Sequence, residues 1–214
     1  MNPTHAVRSI ARNPYLALLL LTGITLALCA WRSILPGSLD NPDRNAFQQR
    51  WTQGGVILLV RHMERCDRSS APCLGAADGI TARAAELAKG LGRAIAHYGL
   101  ATTDIYSSPL TRTAQTADLM FEHSVARQDW LFTCKNDDLL GRIRQHKTAR
   151  RNLVLVTHSE CFDRLMDNLN KPEGETPEYG ETLVLFDTGG RSPWVAGEIE
   201  VPDWAELARQ PNAG

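Results

Sequence analysis

The stretch GVILLVRH (residues 55–62) joins a continuous run of apolar, mostly branched residues to an arginine and a histidine. Such a run is typical of a β-strand that is buried on both faces of a parallel sheet. The stretch NLVLVTH (residues 152–158) repeats the pattern. The carboxyl ends of strands in an open α/β sheet share one crevice, so histidines that are distant in sequence can meet there if their strands are neighbours.

Helical and extended patterns alternate along the rest of the chain. The predicted helices cover residues 81–98, 110–121 and 159–170, and the predicted strands cover residues 55–60, 104–108, 152–157, 182–187 and 194–201. Gly99 stops the first helix, Pro109 suits the first turn of the second, and Ser107 and Ser108 are expected to cap it. The alternation predicts an α/β sandwich with a largely parallel sheet.

Length and charge limit the possible functions. With 214 residues and a formal net charge of -1, the chain has the length of one well-filled domain and no overall field that would attract nucleic acid. We therefore expect one folded domain and no nucleic-acid partner. An anionic substrate would have to be attracted by arginines that are grouped locally.

An uncharged apolar stretch, YLALLLLTGITLALCAW (residues 15–31), follows Arg8 and Arg12 and precedes Arg32. Its length is at the short end of what spans a bilayer, and the basic flank favours an N-inside orientation. A secretory signal peptide has the same layout, so a cleaved signal peptide and a retained signal anchor are both open. Either option places the rest of the chain outside the cytoplasm.

A segment without a strand pattern follows the apolar stretch. Pro36, Gly37 and Pro42 predict a linker there, with one helical turn near Phe47, and the folded domain is expected to begin at about Gly54. The predicted organisation is a signal peptide or signal anchor at residues 1–31, a linker at residues 32–53 and a folded domain at residues 54–210.

The cysteines are interpreted in the light of export, because paired cysteines are normal in an oxidising compartment. Four cysteines follow the apolar stretch: Cys66, Cys73, Cys134 and Cys161. They allow three connectivities, among which we expect Cys66 to pair with Cys73 because the loop between them is short. A zinc site is the alternative, although the spacings contain no CxxC pair.

Two arginines accompany the histidines at the strand ends. Arg61 precedes His62, and Arg112 lies at the start of the helix that follows the strand at residues 104–108. Exposed N–H groups at a helix N-terminus also favour an anion. These two arginines are therefore expected to surround one phosphate group together with His62 and His158.

Three motifs in order carry a family resemblance: Arg61-His62-Met63-Glu64, SSPLTRTAQTA (residues 107–117) and Thr157-His158-Ser159. They resemble the signature of the histidine phosphatase superfamily. The resemblance implies the phosphoglycerate mutase-like fold, a three-layer α/β/α sandwich with a largely parallel central sheet. Met63 departs from the pattern, because the superfamily usually has glycine there.

The resemblance also implies a mechanism. His62 would be the nucleophile and would hold the phosphoryl group as a phosphohistidine until water releases it. Arg61, Arg112 and His158 would neutralise charge on the transferring phosphoryl oxygens. This scheme needs no metal and no cofactor.

A closer resemblance lies in ERCDRSSAPCLGAADGIT (residues 64–81), which is similar to the cysteine-bearing loop of the Ais-type lipopolysaccharide core heptose(II)-phosphate phosphatases. Cys134 and Cys161 also stand where that group has cysteines. The resemblance implies a periplasmic enzyme, anchored in the inner membrane if the N-terminal segment is retained, with a phosphorylated sugar of the lipopolysaccharide core as substrate. A periplasmic phosphatase of another phosphate ester or phosphoprotein, and an anchored non-catalytic phosphate-binding module, are the alternatives.

The proton donor for the leaving oxygen is expected to be a carboxylic acid near the site. Asp137 is the candidate general acid because it stands in the place of the CGNE glutamate of the Ais-type group, and Glu64 is the alternative. Arg65, Arg68 and Ser159 are candidate substrate-binding residues. The two arginines either bind an anionic head group or are solvated on an exposed loop.

Overall fold

The protein contains a six-stranded mixed β-sheet at its centre. The computed structural model describes residues 40–172, 174–190 and 192–209. The strands are β1 (Val56–Arg61), β2 (Thr103–Ser107), β3 (Ala126–Arg127), β4 (Asn152–Thr157), β5 (Thr182–Phe186) and β6 (Trp194–Ile199). Their order across the sheet is β3-β2-β4-β1-β5-β6.

The direction of the strands changes at the middle of the sheet. Strands β1 to β4 run parallel to one another, whereas β5 is antiparallel to β1 and β6 is antiparallel to β5. The prediction of a largely parallel sheet is confirmed. Strand β3 was not predicted, since its two residues are too few to show a periodic pattern.

Helices connect most of these strands. They are α1 (Arg44–Thr52), α2 (Ala82–Ala96), α3 (Thr111–Phe121), α4 (Leu139–His146), α5 (Ser159–Asn168) and α6 (Val201–Arg209). Single 3-10 turns cover Cys66–Arg68, Asp129–Leu131 and Cys134–Asn136. Side-chain oxygens cap the N-termini of three helices. Asp43 accepts a hydrogen bond from the Ala46 N–H in α1, Thr81 accepts one from the Ala84 N–H in α2, and Asp138 accepts one from the Gly141 N–H in α4.

Alternate residues of the central strand β1 face two separate hydrophobic layers. Val56, Leu58 and Val60 pack with α1, α2, α3 and α6 on one face of the sheet, while Ile57 and Leu59 pack with α4 and α5 on the other. All five side chains are at most 2% exposed. The continuous apolar run therefore reflects burial on both faces, and the predicted three-layer α/β/α sandwich is confirmed.

Helix α1 lies inside the segment that was predicted as a linker at residues 32–53. Phe47 is 0% exposed and Trp51 is 2% exposed, and both pack in the hydrophobic layer that contains Val56, Leu58 and Val60. The Trp51 indole N–H also donates a hydrogen bond to the Gly99 carbonyl at 2.9 Å. The folded region therefore begins before Gly54, the predicted start, because two aromatic side chains tie this short polar helix to the core.

The predicted targeting segment at residues 15–31 lies outside the described residues, and so does the predicted end of the domain at residue 210. Within residues 40–172, 174–190 and 192–209, no helix has the length and apolarity needed to cross a membrane.

The four cysteines form two disulfides. Cys66 is bonded to Cys73, as predicted, with a Cα–Cα distance of 5.2 Å. Cys134 is bonded to Cys161 across 27 residues of sequence, with a Cα–Cα distance of 5.5 Å. Both sulfurs of each pair are used, which leaves none of these cysteines free for the alternative zinc site.

Candidate active site

Two histidines meet at the carboxyl ends of β1 and β4. These strands are parallel neighbours with Arg61 in register with Thr157, so His62 and His158 emerge side by side. The centroids of the two imidazole rings are 5.4 Å apart, and the residues are 3% and 5% exposed. The crevice that the sequence predicted at the strand ends thus holds both rings.

One ring nitrogen of His62 is held by the backbone. Nδ1 lies 2.8 Å from the carbonyl oxygen of Met63, and because a carbonyl only accepts, Nδ1 carries the proton. Nε2 is then unprotonated and lies 3.2 Å from Nε of Arg112. Burial lowers the pKa of His62 to about 3, with a further contribution from the positive charge of Arg112. The ring is therefore neutral at neutral pH, as a nucleophile requires.

His158 is oriented by a serine from the neighbouring strand. Its Nε2 lies 2.9 Å from Ser108 Oγ, and its Nδ1 lies 3.4 Å from Nη2 of Arg112. Burial lowers the pKa of His158 to about 4, and Arg112 lowers it further. The Arg112 guanidinium thus lies between two neutral imidazoles, with one nitrogen near each ring.

The prediction that Ser107 and Ser108 cap the following helix is wrong. Helix α3 has Leu110 at its N-cap position, without a side-chain hydrogen bond. The Ser107 hydroxyl donates instead to the Ser108 carbonyl at 2.9 Å, and the Ser108 hydroxyl contacts His158. Both serines are fully buried, so they belong to the interior of the site rather than to a helix end.

A threonine links the nucleophile loop to Arg112. The hydroxyl of Thr116 accepts a hydrogen bond from the Met63 N–H at 3.0 Å and donates one to the Arg112 carbonyl at 2.7 Å. Met63 is 1% exposed and lies against Gly180, where a Cβ atom would come within 2.9 Å of the methionine sulfur. The methionine that replaces the usual glycine is therefore accommodated by a glycine on the opposite segment.

Arg61 is held by the loop that precedes β5. Its Nη1 donates to the Pro177 carbonyl, and its Cζ lies 4.2 Å from the centroid of the Tyr179 ring. The Tyr179 ring is in turn 5.7 Å from that of His62. Sequence reasoning missed Tyr179, because the contact depends on the antiparallel pairing of β5 with β1. Nε of Arg61 is buried and has no hydrogen-bond partner within the described residues.

The carboxylate of Glu64, the alternative acid, is hydrogen-bonded to residues outside the pair of histidines. Its carboxylate accepts hydrogen bonds from Arg83, from Thr81 at 2.8 Å and from Ser69 at 3.1 Å. The hydrogen bond from Arg83 is the main cause that lowers the pKa of Glu64 to about 2. This residue is therefore an ionised anchor for the disulfide-containing loop and is poorly suited to donate a proton.

The carboxylate of Asp137, the candidate general acid, contacts Thr133 and Arg142 rather than either histidine. Its Oδ2 lies 3.4 Å from Thr133 Oγ1 and 3.9 Å from Nη2 of Arg142. Asp137 is also not among the residues that line the cavity next to His158. Its neighbour Asp138 caps α4 through the Gly141 N–H at 2.9 Å. The 3-10 turn at Cys134–Asn136 directly precedes Asp137, and the sequence pattern did not reveal this turn.

A cavity of about 340 Å³ adjoins the imidazole of His158 and the side chain of Arg112. Its lining residues are Arg112, Phe132, Thr133, Cys134, Lys135, Asn136, His158 and Glu160. Partial burial raises the pKa of Glu160, but hydrogen bonds from its own N–H and from Ser159, together with the charges of His158 and Arg112, outweigh this effect and leave the pKa lowered. The sequence signal for Glu160 was available: it stands two residues after the second histidine, in the first turn of a helix.

The three candidate substrate-binding residues have different surroundings. Arg65 forms an ion pair with Asp67, Arg68 is exposed, and the Ser159 hydroxyl donates to the Glu160 carboxylate at 3.2 Å. Arg65 contributes to the electrostatics of the site, since its charge lowers the pKa of His158 after the larger effects of burial and Arg112. Arg68 stays a prediction without a contact to support it.

The sheet topology, together with two neutral histidines and two arginines at the strand ends, is that of a member of the histidine phosphatase superfamily. The solved structure of SixA from Agrobacterium tumefaciens shares this fold, with a TM-score of 0.52 and 16% identity over 69% of this chain and 99% of that one. No family model matches the chain.

Curated relatives define the family more narrowly. The lipopolysaccharide core heptose(II)-phosphate phosphatase of Escherichia coli O9:H4 (strain HS) is 30% identical over 164 residues, which cover 76% of this chain and 80% of the relative. The protein of the same name from an O139:H28 strain of Escherichia coli is 31% identical over 165 residues, with the same coverage. The chain belongs to the family of lipopolysaccharide core heptose(II)-phosphate phosphatases.

Proposed function

We propose that the protein hydrolyses a phosphate ester on a heptose of the lipopolysaccharide core, in the periplasm, through a phosphohistidine on His62. The names of its relatives support the sugar substrate. The observation that carries the mechanism is the 2.8 Å hydrogen bond between Nδ1 of His62 and the Met63 carbonyl, because it leaves Nε2 unprotonated, where it accepts a hydrogen bond from Nε of Arg112.

The reaction would take place in two displacements. In the first, Nε2 of His62 forms a bond to phosphorus while the bond from phosphorus to the sugar oxygen breaks, and that oxygen takes a proton and leaves as a hydroxyl group. In the second, water attacks phosphorus, the bond from phosphorus to nitrogen breaks, and a proton from water returns to the acid. The products are the dephosphorylated sugar and inorganic phosphate, and His62 is again neutral.

Positive charge and hydrogen-bond donors stabilise the transferring group in this scheme. Arg112 lies within 3.2 Å of the nucleophilic nitrogen and within 3.4 Å of His158, so a phosphoryl group on His62 lies within reach of both side chains. Arg61 approaches from the side of Tyr179. Its buried Nε, which has no partner in the described part of the chain, is a donor that a phosphoryl oxygen would satisfy.

Glu160 replaces Asp137 as the general acid in this proposal. Among Glu64, Asp137 and Glu160, it is the carboxylate that lines the same cavity as Arg112 and His158. A bound phosphate group would raise the pKa of Glu160, because two negative charges close together disfavour ionisation. Glu160 would then hold a proton when the substrate is in place and release it to the leaving oxygen.

Residues 15–31 would deliver the folded domain to the periplasm, either as a cleaved signal peptide or as a retained anchor in the inner membrane. The proposal treats residues 1–31 as this targeting segment and the described residues from 40 onwards as the phosphatase domain. The two disulfides support it, since disulfides persist in oxidising compartments.

A direct assay tests the proposal. Lipopolysaccharide core oligosaccharide that carries heptose phosphate is expected to release inorganic phosphate, and mass spectrometry of the sugar product should show the loss of that phosphate. Rapid quenching in alkaline denaturant should trap an acid-labile phosphohistidine. His62→Ala is expected to lose about 10⁴-fold or more in kcat. His97→Ala is the matched control, because His97 is an exposed histidine at the end of α2.

Two other outcomes would overturn parts of the proposal. If the protein hydrolyses other phosphate esters and leaves heptose phosphate intact, it is a phosphatase with a different substrate. If the protein turns over none of the esters but binds phosphate at the histidines, it is a non-catalytic phosphate-binding module.

A further inference from the structure

We propose that residues 132–136 form a subsite that binds the sugar ring of the substrate beside the phosphate. The inference rests on the proposed function, because it specifies where the group attached to the phosphate lies. We call this segment the leaving-group wall. It consists of Phe132, Thr133, Cys134, Lys135 and Asn136.

All five residues of the leaving-group wall line one cavity of about 340 Å³ together with Arg112 and His158. Arg112 is also the residue whose Nε lies 3.2 Å from Nε2 of His62. The ring centroid of Phe132 lies 6.3 Å from that of His158. A group esterified to a phosphate that Arg112 and His158 hold can therefore extend along the wall.

Phe132 lines this cavity with an aromatic ring, and its side chain is 51% exposed. The other large hydrophobic side chains that are exposed in the described part of the chain are Leu74, Leu87 and Trp194, and none of them lines the cavity. An aromatic ring in this position can cover the C–H face of a sugar ring, which buries apolar surface on both partners.

Polar groups surround the aromatic ring. Lys135 and Asn136 are exposed, and within the described residues neither side chain has a hydrogen-bond or ion-pair partner. The Thr133 hydroxyl, in contrast, is directed at the Asp129 carbonyl and the Asp137 carboxylate, both at 3.4 Å. Lys135 and Asn136 are therefore available to the hydroxyl groups of a sugar, whose recognition needs a few well-placed donors and acceptors around an apolar surface.

The disulfide between Cys134 and Cys161 fixes the position of the wall. Cys134 is in the middle of the wall, and Cys161 is in the first turn of α5, where its N–H donates to the His158 carbonyl at 3.1 Å. The Thr157 hydroxyl adds a second link, since it donates to the Leu131 carbonyl at 2.8 Å just before the wall begins. The wall is thus tied to the segment that carries the second histidine, which keeps the spacing between them constant.

Substrate discrimination tests the inference. The values of kcat/KM are measured for core oligosaccharide with heptose phosphate and for acetyl phosphate, whose small acyl group does not reach the wall. In Phe132→Ala and in Asn136→Ala, the ratio of the first value to the second is expected to fall about tenfold or more, as for the loss of one specific contact. Trp194→Ala is the matched control and should keep the ratio, because Trp194 is 59% exposed and lies outside the cavity.

An unchanged ratio in both variants would overturn the inference while the proposed function stands. Turnover of acetyl phosphate without turnover of the oligosaccharide by the wild-type protein would overturn the proposed sugar substrate, and the inference with it. Circular dichroism of each variant checks that the fold is retained, which is expected because Phe132 and Asn136 are exposed.

Discussion

The hydroxyl oxygen of Ser108 lies 2.9 Å from Nε2 of His158, so the histidine that follows β4 is oriented by the serine that follows β2. These strands are parallel neighbours, and Ser107 is in register with Val156. Both residues are buried, at 0% and 5% exposure. The sheet register therefore sets the direction in which Nδ1 of His158 faces Arg112.

Ser108→Ala is expected to lower kcat/KM for a phosphate ester about fivefold, because His158 would lose the partner that fixes its ring, and one hydrogen bond of this kind contributes about 1 kcal/mol. Ser107→Ala is the matched control, since the Ser107 hydroxyl contacts the Ser108 carbonyl rather than a histidine. Equal kcat/KM values in the two variants would show that Ser108 has no positioning role.

The identity of the general acid can be tested with three isosteric variants. Glu160→Gln is expected to slow the hydrolysis of esters with poor leaving groups about 100-fold and to affect good leaving groups much less. Asp137→Asn should change both rates by less than about threefold, because its carboxylate is directed at Thr133 and Arg142. A larger loss in Asp137→Asn than in Glu160→Gln would restore Asp137 as the acid.

Glu64→Gln provides the third comparison. Its expected effect is a lower free energy of unfolding, because the amide would weaken the hydrogen bonds from Arg83 and Thr81 that hold the loop. Dependence of the rate on the leaving group should be the same as in the wild type, and a change in that dependence would contradict the anchoring role.

The two buried histidines predict how stability varies with pH. Their pKa values are about 3 and about 4 in the folded protein, compared with 6.5 as the ordinary value, so the unfolded chain binds protons at a pH where the native state does not. The free energy of unfolding is therefore expected to fall as pH decreases from about 6.5 towards 4, by up to about 1.4 kcal/mol per pH unit for each histidine.

Urea unfolding at several pH values measures this dependence. The double variant His62→Asn with His158→Asn should show a shallower fall over the same window, since the carboxylates titrate in both proteins. Parallel curves for the wild type and the double variant would mean that burial does not lower these two pKa values.

The two disulfides are expected to contribute unequally to stability. Replacing Cys134 and Cys161 with alanine releases a loop of 27 residues, whereas replacing Cys66 and Cys73 releases one of 7 residues. In the loop-entropy model the first pair should stabilise the fold by about 1 kcal/mol more than the second. Denaturant unfolding of the two double variants measures the difference, and a greater loss from the shorter loop would contradict the ranking.

Alanine substitutions at Gly180 and Gly99 distinguish the effect of backbone strain on stability from the effect of steric overlap. Both have a positive φ angle, +83° and +89°, but a Cβ at Gly180 would lie 2.5 Å from a methyl group of Val201, whereas the space around Gly99 is open. Gly99→Ala is expected to lower the free energy of unfolding by about 1 kcal/mol, and Gly180→Ala by about 2 to 4 kcal/mol. Equal losses would mean that the Met63 side of the site adapts without cost.

The parts of the fold that the sequence predicted are those with strong periodic signals. Strands β1 and β4 are buried on both faces, and their unbroken apolar runs showed both the strands and the position of the two histidines at their ends. Helix α1 gave a weaker signal, because Phe47 and Trp51 are its two large apolar residues among polar ones. Their spacing of four residues marks one helical face and was the available hint.

The parts of the site that were missed depend on contacts between distant segments. The Tyr179 ring lies against Arg61 because β5 runs antiparallel to β1. The local pattern of apolar residues in a strand does not indicate the direction in which it pairs. The proposed choice of Glu160 over Asp137 also depends on the tertiary structure, because Glu160 lines the cavity beside His158 and Asp137 does not. Sequence motifs thus located the histidines and arginines that meet at the strand ends, while the residues that orient them required the three-dimensional structure.

Strand β5 begins, rather than ends, at the edge of the sheet where His62 lies. The chain therefore reaches the site through the segment before β5, whose Pro177 carbonyl and Tyr179 ring hold Arg61. Residues 171, 172 and 174–176, just before Pro177, are exposed and outside any strand. A change in the length of this segment would therefore leave the strand pairing as it is. Because β5 is antiparallel to β1, the contacts of Arg61 come from a connecting segment rather than from the end of a strand.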